Sequence, residues 1–249
     1  MAELPGKNGG PVVWARVGGG FETEGERHGP ADLDMPPPGD DWKPLQVGGR
    51  LVGWTDATPS PALARQALEA GERLARERRS HLLGRLGHKL RSAVLSLQES
   101  SRQAAFGRPE LLENLFEQAQ EVGRRAAALE AAALDPKDSA RAVVIAALLN
   151  TAAPAADNQV PAEAVVRAPE PVLFEALQRA YEWMGGAGAK LRGEHVGAWW
   201  RIEVVQSPDP QPLAAHELGE PLVRLLVDQH CEGWLDAQPG CAVLWLPAA

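Results

Sequence analysis

The feature that most constrains this chain is a long stretch of helix-forming sequence, residues 61–106, in which no proline follows Pro61. Ala, Leu, Arg and Glu dominate it, and all four have high helix propensity. Ser60 and Pro61 suit the N-cap and the first turn of a helix. Apolar residues spaced three and four apart predict one buried stripe along this helix, formed by Leu83, Leu86, Leu90, Val94 and Leu97.

A second helix is predicted to run back along the first. Gly107-Arg108-Pro109 breaks the first helix, and Asp135-Pro136 ends the second. The second helix carries its own stripe, formed by Leu112, Leu115, Ala119, Val122, Ala126 and Leu129. Two helices alone cannot bury a stripe on both members, so the pattern predicts a homodimer in which two hairpins form a four-helix bundle.

The flanking regions predict a mixed architecture. Residues 1–60 are rich in Gly and Pro and contain strand-like runs at 11–17 and 46–55, the second with a Gly-Gly hairpin signal. After the hairpin, helix patterns alternate with strand patterns. The predicted helices cover 140–149, 171–184 and 218–229, and the predicted strands cover 160–168, 198–206 and 240–247. The fold class is therefore α+β, with a small β-rich segment (1–60), a helical hairpin (61–136) and an α/β sandwich (137–249).

Charge and composition exclude several classes of function. The net charge of −8 argues against binding nucleic acid through bulk charge. No apolar run approaches the length needed to cross a bilayer, and the N-terminus lacks the pattern of a signal peptide. The two cysteines suit a reducing compartment, and the six histidines show no metal-ligand spacing. We therefore expect a cytoplasmic protein without a membrane span, a metal or another cofactor.

One histidine stands in an unusual electrostatic setting. Residues 60–108 carry ten Lys or Arg and four Glu, a net charge of +6 in an otherwise acidic chain. His88 lies two positions from the stripe residues on either side of it, so its imidazole is expected to face solvent. Arg85, Lys89 and Arg91 surround it and are candidate docking residues for an anionic reactant or an acidic partner. A neutral imidazole is also a competent nucleophile near neutral pH.

The run GHKLRSAV at residues 87–94 resembles the H box of sensor histidine kinases. The order of elements is also similar, with a helical hairpin followed by an α/β domain of the kinase ATPase type. The resemblance implies that His88 accepts phosphate, and that Ser92 stands at the small polar position associated with phosphatase activity. Lys89 replaces the acid that usually follows the histidine. His81, one heptad earlier, lacks the following Leu-Arg and is interpreted as a spacer.

The C-terminal region resembles the nucleotide-binding boxes of the same family with their essential residues replaced. Residues 173–184 are similar to the N box, but Glu175 and Arg179 stand where the family has asparagines. Gln206 replaces the adenine-binding aspartate, and prolines replace the glycines that follow. In the second glycine box Glu217 replaces a glycine, and Gly219 alone is kept. Because Mg²⁺ prefers oxygen ligands and Pro has no N–H donor, the resemblance implies a degenerate nucleotide site.

Three functional hypotheses follow. In the first, the chain is a phosphotransfer protein that exchanges phosphate between His88 and a response-regulator receiver domain, with little or no ATP binding. In the second, it is an atypical but active histidine kinase that uses ATP and Mg²⁺. In the third, it is a non-enzymatic dimeric adaptor with a pseudokinase fold. The N-terminal segment is either a remnant of a GAF-type sensor or a simple β cap.

Overall fold

The computed structural model describes residues 12–23, 26–29, 41–106, 112–133, 140–208 and 216–249. An antiparallel sheet at the N-terminus has the strand order β3-β2-β1-β5-β4. Its strands are β1 (Val13–Val17), β2 (Gly20–Thr23), β3 (Glu26–His28), β4 (Lys43–Val47) and β5 (Arg50–Thr55). The predicted Gly-Gly hairpin joins β4 to β5, and Gly48 and Gly49 have φ angles of 58° and 81°.

Two helices follow, α1 (Pro61–Ala105) and α2 (Leu112–Ala133), and they pack antiparallel to each other. The N-cap prediction is confirmed, because the Ser60 hydroxyl oxygen accepts a hydrogen bond of 3.2 Å from the Leu63 N–H. The predicted helix break at 107–109 lies outside the described residues. The first third of α1 packs on the N-terminal sheet through small buried residues: Ala64, Ala67, Ala70 and Gly71. Small side chains let helix and sheet approach closely.

The apolar stripe of α1 divides into two parts. Near the middle of the helix, Leu82 and Leu86 are buried in one cluster with residues of the C-terminal region. Farther along, Leu90, Val94 and Leu97 are only half-buried. The far end of the hairpin exposes large apolar side chains: Leu95 is 59% exposed, Phe106 82% and Phe116 69%. A single chain therefore leaves the far half of its hairpin incompletely covered.

The C-terminal region is a two-layer arrangement of helices on a mixed sheet with the strand order β11-β12-β10-β9-β7. A separate two-stranded sheet pairs β6 with β8. The elements are β6 (Arg141–Val144), α3 (Ile145–Ala152), β7 (Asp157–Gln159), β8 (Val165–Ala168), α4 (Glu170–Trp183), β9 (Lys190–Val196), β10 (Trp199–Val205), α5 (His216–Arg224), β11 (Trp234–Gln238) and β12 (Cys241–Pro247). A π-helical segment, Leu225–His230, continues α5.

Two predicted elements in this region are wrong in part. The helix predicted over 140–149 begins only at Ile145, because the β-branched residues before it form β6 and pair with β8. Of the range 160–168 that was predicted as a strand, only β8 is one. A separate short strand, β7, lies just before this range and pairs in parallel with β9. The sequence reading also missed β9 and β11, which carry several charged or polar residues and lack a strong apolar pattern.

Candidate functional site: the histidine-bearing helix and its junction with the C-terminal region

His88 lies on the exposed face of α1, as its position beside the apolar stripe predicts. It lines a shallow hollow of about 410 Å³ with His81, Arg85 and Lys89. One turn farther along, the Ser92 hydroxyl donates a 3.1 Å hydrogen bond to the His88 carbonyl oxygen. The structure thus brings His88, Arg85 and Lys89 to one surface. It adds His81, which the sequence reading had set aside as a spacer.

The backbone behind this hollow is held by the second helix. Arg125 on α2 donates a 2.8 Å hydrogen bond to the Lys89 carbonyl oxygen, and a 2.6 Å ion pair with Glu121 orients the guanidinium. The contact joins the two helices next to His88. The imidazole therefore faces outward from a segment that α2 supports from the other side. Arg91 is exposed on the same helix but does not line the hollow.

The two charged residues at the predicted N-box positions bind each other. On α4 the Arg179 guanidinium makes 2.7 Å hydrogen bonds with Glu175 and with Glu182. The Arg179 side chain is only 13% exposed. Burial opposes its charge, but the carboxylates of Glu182 and Glu175 outweigh this and raise the pKa of Arg179. Both carboxylates therefore already have a cation.

Gly219 has a packing role in this structure. It lies on α5 against α4, and a Cβ added there would lie 2.6 Å from Cγ of Trp183. No side chain could occupy this position without moving the two helices apart. The Glu217 side chain lies outside the described residues, as does the segment 209–215 that precedes α5.

Gln206 is exposed at the end of β10, and its N–H donates a 2.8 Å hydrogen bond to the Gly240 carbonyl oxygen in the β11–β12 turn. Its neighbour Ser207 is buried and donates a 2.8 Å hydrogen bond to the Ala187 carbonyl oxygen. This hydrogen bond thus holds the end of β10 against the turn that follows α4. Arg179, Gln206 and Gly219 each have local structural partners.

Sequence reasoning missed an ionic cluster, here called the ionic junction, in which the buried carboxylates of Glu22 and Asp228 pair with the partly exposed guanidinium groups of Arg27 and Arg78. Arg27 on β3 contacts Glu22 at 2.7 Å and Asp228 at 2.5 Å, and Arg78 on α1 binds both carboxylate oxygens of Glu22. The Asp228 carboxylate also accepts a 2.9 Å hydrogen bond from the Leu235 N–H. The ionic junction therefore links the N-terminal sheet, the hairpin and the C-terminal region.

Burial dominates the electrostatics at Asp228. The residue is 2% exposed, and burial raises its pKa to about 7 although Arg27 and the Leu235 N–H favour the charged form. In the sequence, Asp228 is a lone acid that directly follows the apolar run LLV. Such a position indicates a buried carboxylate, and a buried carboxylate requires a charged or hydrogen-bonding partner.

Backbone contacts reinforce the same junction. The Gly19 N–H donates a 2.7 Å hydrogen bond to the Gly233 carbonyl oxygen, and the Gln229 side chain donates one of 2.8 Å to the Ala75 carbonyl oxygen on α1. Gly18 has a φ of 63° and lies against the Asp228 carbonyl oxygen, where a Cβ would clash. The N-terminal sheet thus packs directly against the C-terminal region.

Within the described residues, no group of three or more His, Cys, Asp or Glu side chains is arranged to hold a metal ion. In the same part of the chain, no helix combines the length and the apolar character of a membrane span.

Comparison with known proteins gives a structural likeness but no sequence match. No protein-family model matches the chain, and no curated protein matches it by sequence. The structure of histidine kinase ThkA in complex with the response regulator protein TrrA aligns at a TM-score of 0.53 and 15% identity, covering 95% of this chain and 79% of that one. The histidine kinase AdeS of Acinetobacter baumannii aligns at a TM-score of 0.49 and 14% identity, covering 65% of this chain and 97% of that one. From the alignment with ThkA, we conclude that the chain has a histidine-kinase-like fold.

Proposed function

We propose that this protein is a homodimeric phosphotransfer protein of two-component signalling, in which His88 exchanges a phosphoryl group with the aspartate of a response-regulator receiver domain. The observation that carries the proposal is the exposed imidazole of His88 in a basic hollow, on the long helix of a chain with a histidine-kinase-like fold. The likeness to a kinase described in complex with a response regulator supports this choice of partner.

The transfer step follows from nucleophilic chemistry. A neutral imidazole nitrogen of His88 attacks the phosphorus of an aspartyl phosphate on the partner. An N–P bond forms, the bond between phosphorus and the carboxylate oxygen breaks, and the carboxylate leaves as an anion. Arg85, Lys89 and Arg91 attract the negatively charged partner and offset the charge of the transferred group. Ser92, one turn from His88, is the candidate for a separate phosphatase activity, in which water attacks the phosphorus of the partner's aspartyl phosphate, the bond between phosphorus and the carboxylate oxygen breaks, and inorganic phosphate is released.

We expect phosphate transfer to depend on His88. Incubation with a phosphorylated receiver domain should label the wild-type chain with acid-labile phosphate, and His88→Ala should reduce the label to background. His81→Ala is the matched control, because that imidazole lines the same hollow but is not the predicted acceptor. Label that persists in His88→Ala would rule out this residue. A chain that no receiver domain labels would support the adaptor hypothesis.

We propose in addition that the protein binds little or no ATP. Arg179 forms ion pairs with the carboxylates of Glu175 and Glu182, so neither is available to bind Mg²⁺. Gly219 packs against Trp183 and leaves no space there for a phosphate group. Calorimetry with millimolar Mg-ATP should therefore show no binding, and radiolabelled ATP should leave His88 unlabelled. Tight binding would instead favour the second hypothesis, an active histidine kinase that uses ATP and Mg²⁺.

The homodimer predicted from the sequence would cover the apolar side chains at the far end of the hairpin. Light scattering should report about twice the chain mass of 26.6 kDa. The double substitution Leu95→Glu/Phe116→Glu should shift the protein toward the monomer, because it would place carboxylates at the two-helix face that is left uncovered. Arg65→Glu makes the same change in net charge at an exposed position in the first third of α1, far from this face, and should leave the mass unchanged. A wild-type mass near that of one chain would exclude the dimer.

The three-part division at residues 60 and 136, and a cytoplasmic location, belong to the same proposal. Support for the location comes from the two cysteines, which are both free thiols in this structure.

Burial raises the pKa of the Cys231 thiol to about 12, so this thiol is protonated and unreactive at neutral pH.

A further inference from the structure

A second cavity lies between α1 and α5, on the side of His81 and Arg85 that faces the C-terminal region. Its volume is about 430 Å³, enough for a small organic molecule. Neither the resemblance to histidine kinases nor the proposed phosphotransfer assigns it a role. The cavity is bounded by elements of two different regions, so a molecule bound there would contact both.

The walls of this cavity are largely apolar. Leu82 of α1 and Leu225 of the π-helical segment are each 4% exposed, and Pro221 of α5 also lines the cavity. The proline also weakens the hydrogen-bonding of α5 at this point, because its nitrogen has no hydrogen to donate. Such walls favour a ligand with an apolar ring or a short hydrocarbon chain.

The acidic side chains that line the cavity already have cationic partners. Glu220 forms a 2.7 Å ion pair with Arg224, and Asp228 binds Arg27 at 2.5 Å. Glu77 lies 4.0 Å from Arg73. These carboxylates therefore repel a negatively charged ligand less than isolated carboxylates would.

Two basic side chains at the same cavity remain available. Arg78 is bound to Glu22, but Arg85 and His81 make no hydrogen bond or ion pair with any other residue that the structure describes. An unpaired guanidinium beside an apolar wall is suited to a carboxylate, which it can bind with two parallel hydrogen bonds. The uncompensated charge facing the cavity is thus positive.

We propose that this cavity binds a small organic carboxylate whose apolar body lies against Leu82, Pro221 and Leu225 and whose carboxylate pairs with Arg85 and His81. Such a ligand contacts α1 one to two turns before His88 and contacts α5 at the same time. By mass action it stabilises the packing of the C-terminal region on the hairpin. The site shares His81 and Arg85 with the hollow around His88, but ligand binding requires neither His88 nor a receiver domain, so the two proposals can be tested separately.

The test uses fluorine NMR on the full-length protein with two probes of the same shape, 4-(trifluoromethyl)benzoate and 4-(trifluoromethyl)benzyl alcohol. The benzoate signal should broaden at millimolar probe, and the neutral alcohol should bind about tenfold more weakly, as expected for loss of a charge-assisted hydrogen bond. Arg85→Gln should remove this preference. Arg91→Gln, which changes an exposed arginine outside the cavity, should keep it.

Two further variants separate this cavity from other anion-binding surfaces. Glu220→Gln releases Arg224 from its ion pair and should tighten benzoate binding, whereas His88→Ala should bind benzoate as the wild type does. Equal binding of the two probes, an unchanged affinity in Arg85→Gln, or the absence of benzoate binding would overturn the proposal. Competition by inorganic phosphate as effective as that by unlabelled benzoate would overturn the assignment of an apolar ligand body.

Discussion

Replacing Arg27 with methionine is expected to lower the free energy of unfolding by about 3–5 kcal/mol at pH 8, as for other buried ion pairs that lose one partner. Methionine keeps the apolar part of the side chain over the Trp234 ring, which the Arg27 guanidinium carbon now approaches to 4.1 Å. Asp228 loses its ion-pair partner while it stays buried, and Glu22 keeps only Arg78. Chemical denaturation of wild type and variant measures the difference.

The loss should be smaller at pH 6 than at pH 8. Burial raises the pKa of Asp228 to about 7 in the folded state, above the ordinary value of 3.8. Between these two pKa values the folded protein holds a proton on Asp228 that the unfolded chain has lost. The contribution of this proton to stability is therefore full below pH 3.8 and is lost as the pH rises to about 7. Without Arg27 this pKa rises further, so a proton on Asp228 offsets much of the loss at pH 6.

Two comparisons make this prediction specific. The double variant Arg27→Met/Asp228→Asn removes both charges and should be more stable at pH 8 than the single variant. Arg50→Met disrupts the exposed pair with Glu232, whose side chains are 63% and 61% exposed, and should change stability by less than about 0.5 kcal/mol. Equal effects of Arg27→Met and Arg50→Met would show that the ionic junction does not hold the three regions together.

Gly71→Ala is expected to destabilise the protein by about 3 kcal/mol, although alanine is the better helix former. Gly71 lies on α1 where the helix crosses β1, and an added Cβ would overlap the Arg16 carbonyl oxygen. A backbone oxygen cannot rotate away as a side chain can. Helix and sheet would have to separate, and the packing of Ala64 and Ala67 on the sheet would loosen. Thermal or urea unfolding measures the effect.

Gly84→Ala on the same helix is the control for helix propensity. Apart from its chain neighbours and the backbone of its own helix, no atom lies within 4 Å of the Cβ that this substitution adds. It should therefore stabilise the protein by up to about 1 kcal/mol, the opposite sign from Gly71→Ala. If both substitutions stabilise the chain, the close approach of α1 to β1 is absent in solution.

The elements that could be predicted from the sequence are those with a strong local pattern. The start of α1, the α4 helix and the strands β10 and β12 follow from capping residues, helical spacing and β-branched runs. The exposed position of His88 follows from its place beside the apolar stripe. Each of these features depends on residues that are near in sequence, so periodicity and propensity are enough to find them.

The features that could not be predicted depend on partners that are distant in sequence. β6 exists because it pairs with β8, and β9 is held between β10 and β7. The local sequence of β6 is compatible with the start of a helix, and that of β9 has a weak pattern. Both segments form strands because each pairs with a neighbouring strand. The role of Gly219 was also hidden, because it depends on the position of Trp183 on another helix.

By itself, the sequence determined that the chain contains two long consecutive helices and that His88 faces outward from the first of them among basic residues. Tertiary structure alone decided that Glu22, Arg27, Arg78 and Asp228 meet at one point. The physical reason is that helical periodicity depends on neighbours three and four residues away. Charge pairing and burial depend on positions up to 201 residues apart, which only the folded chain brings together.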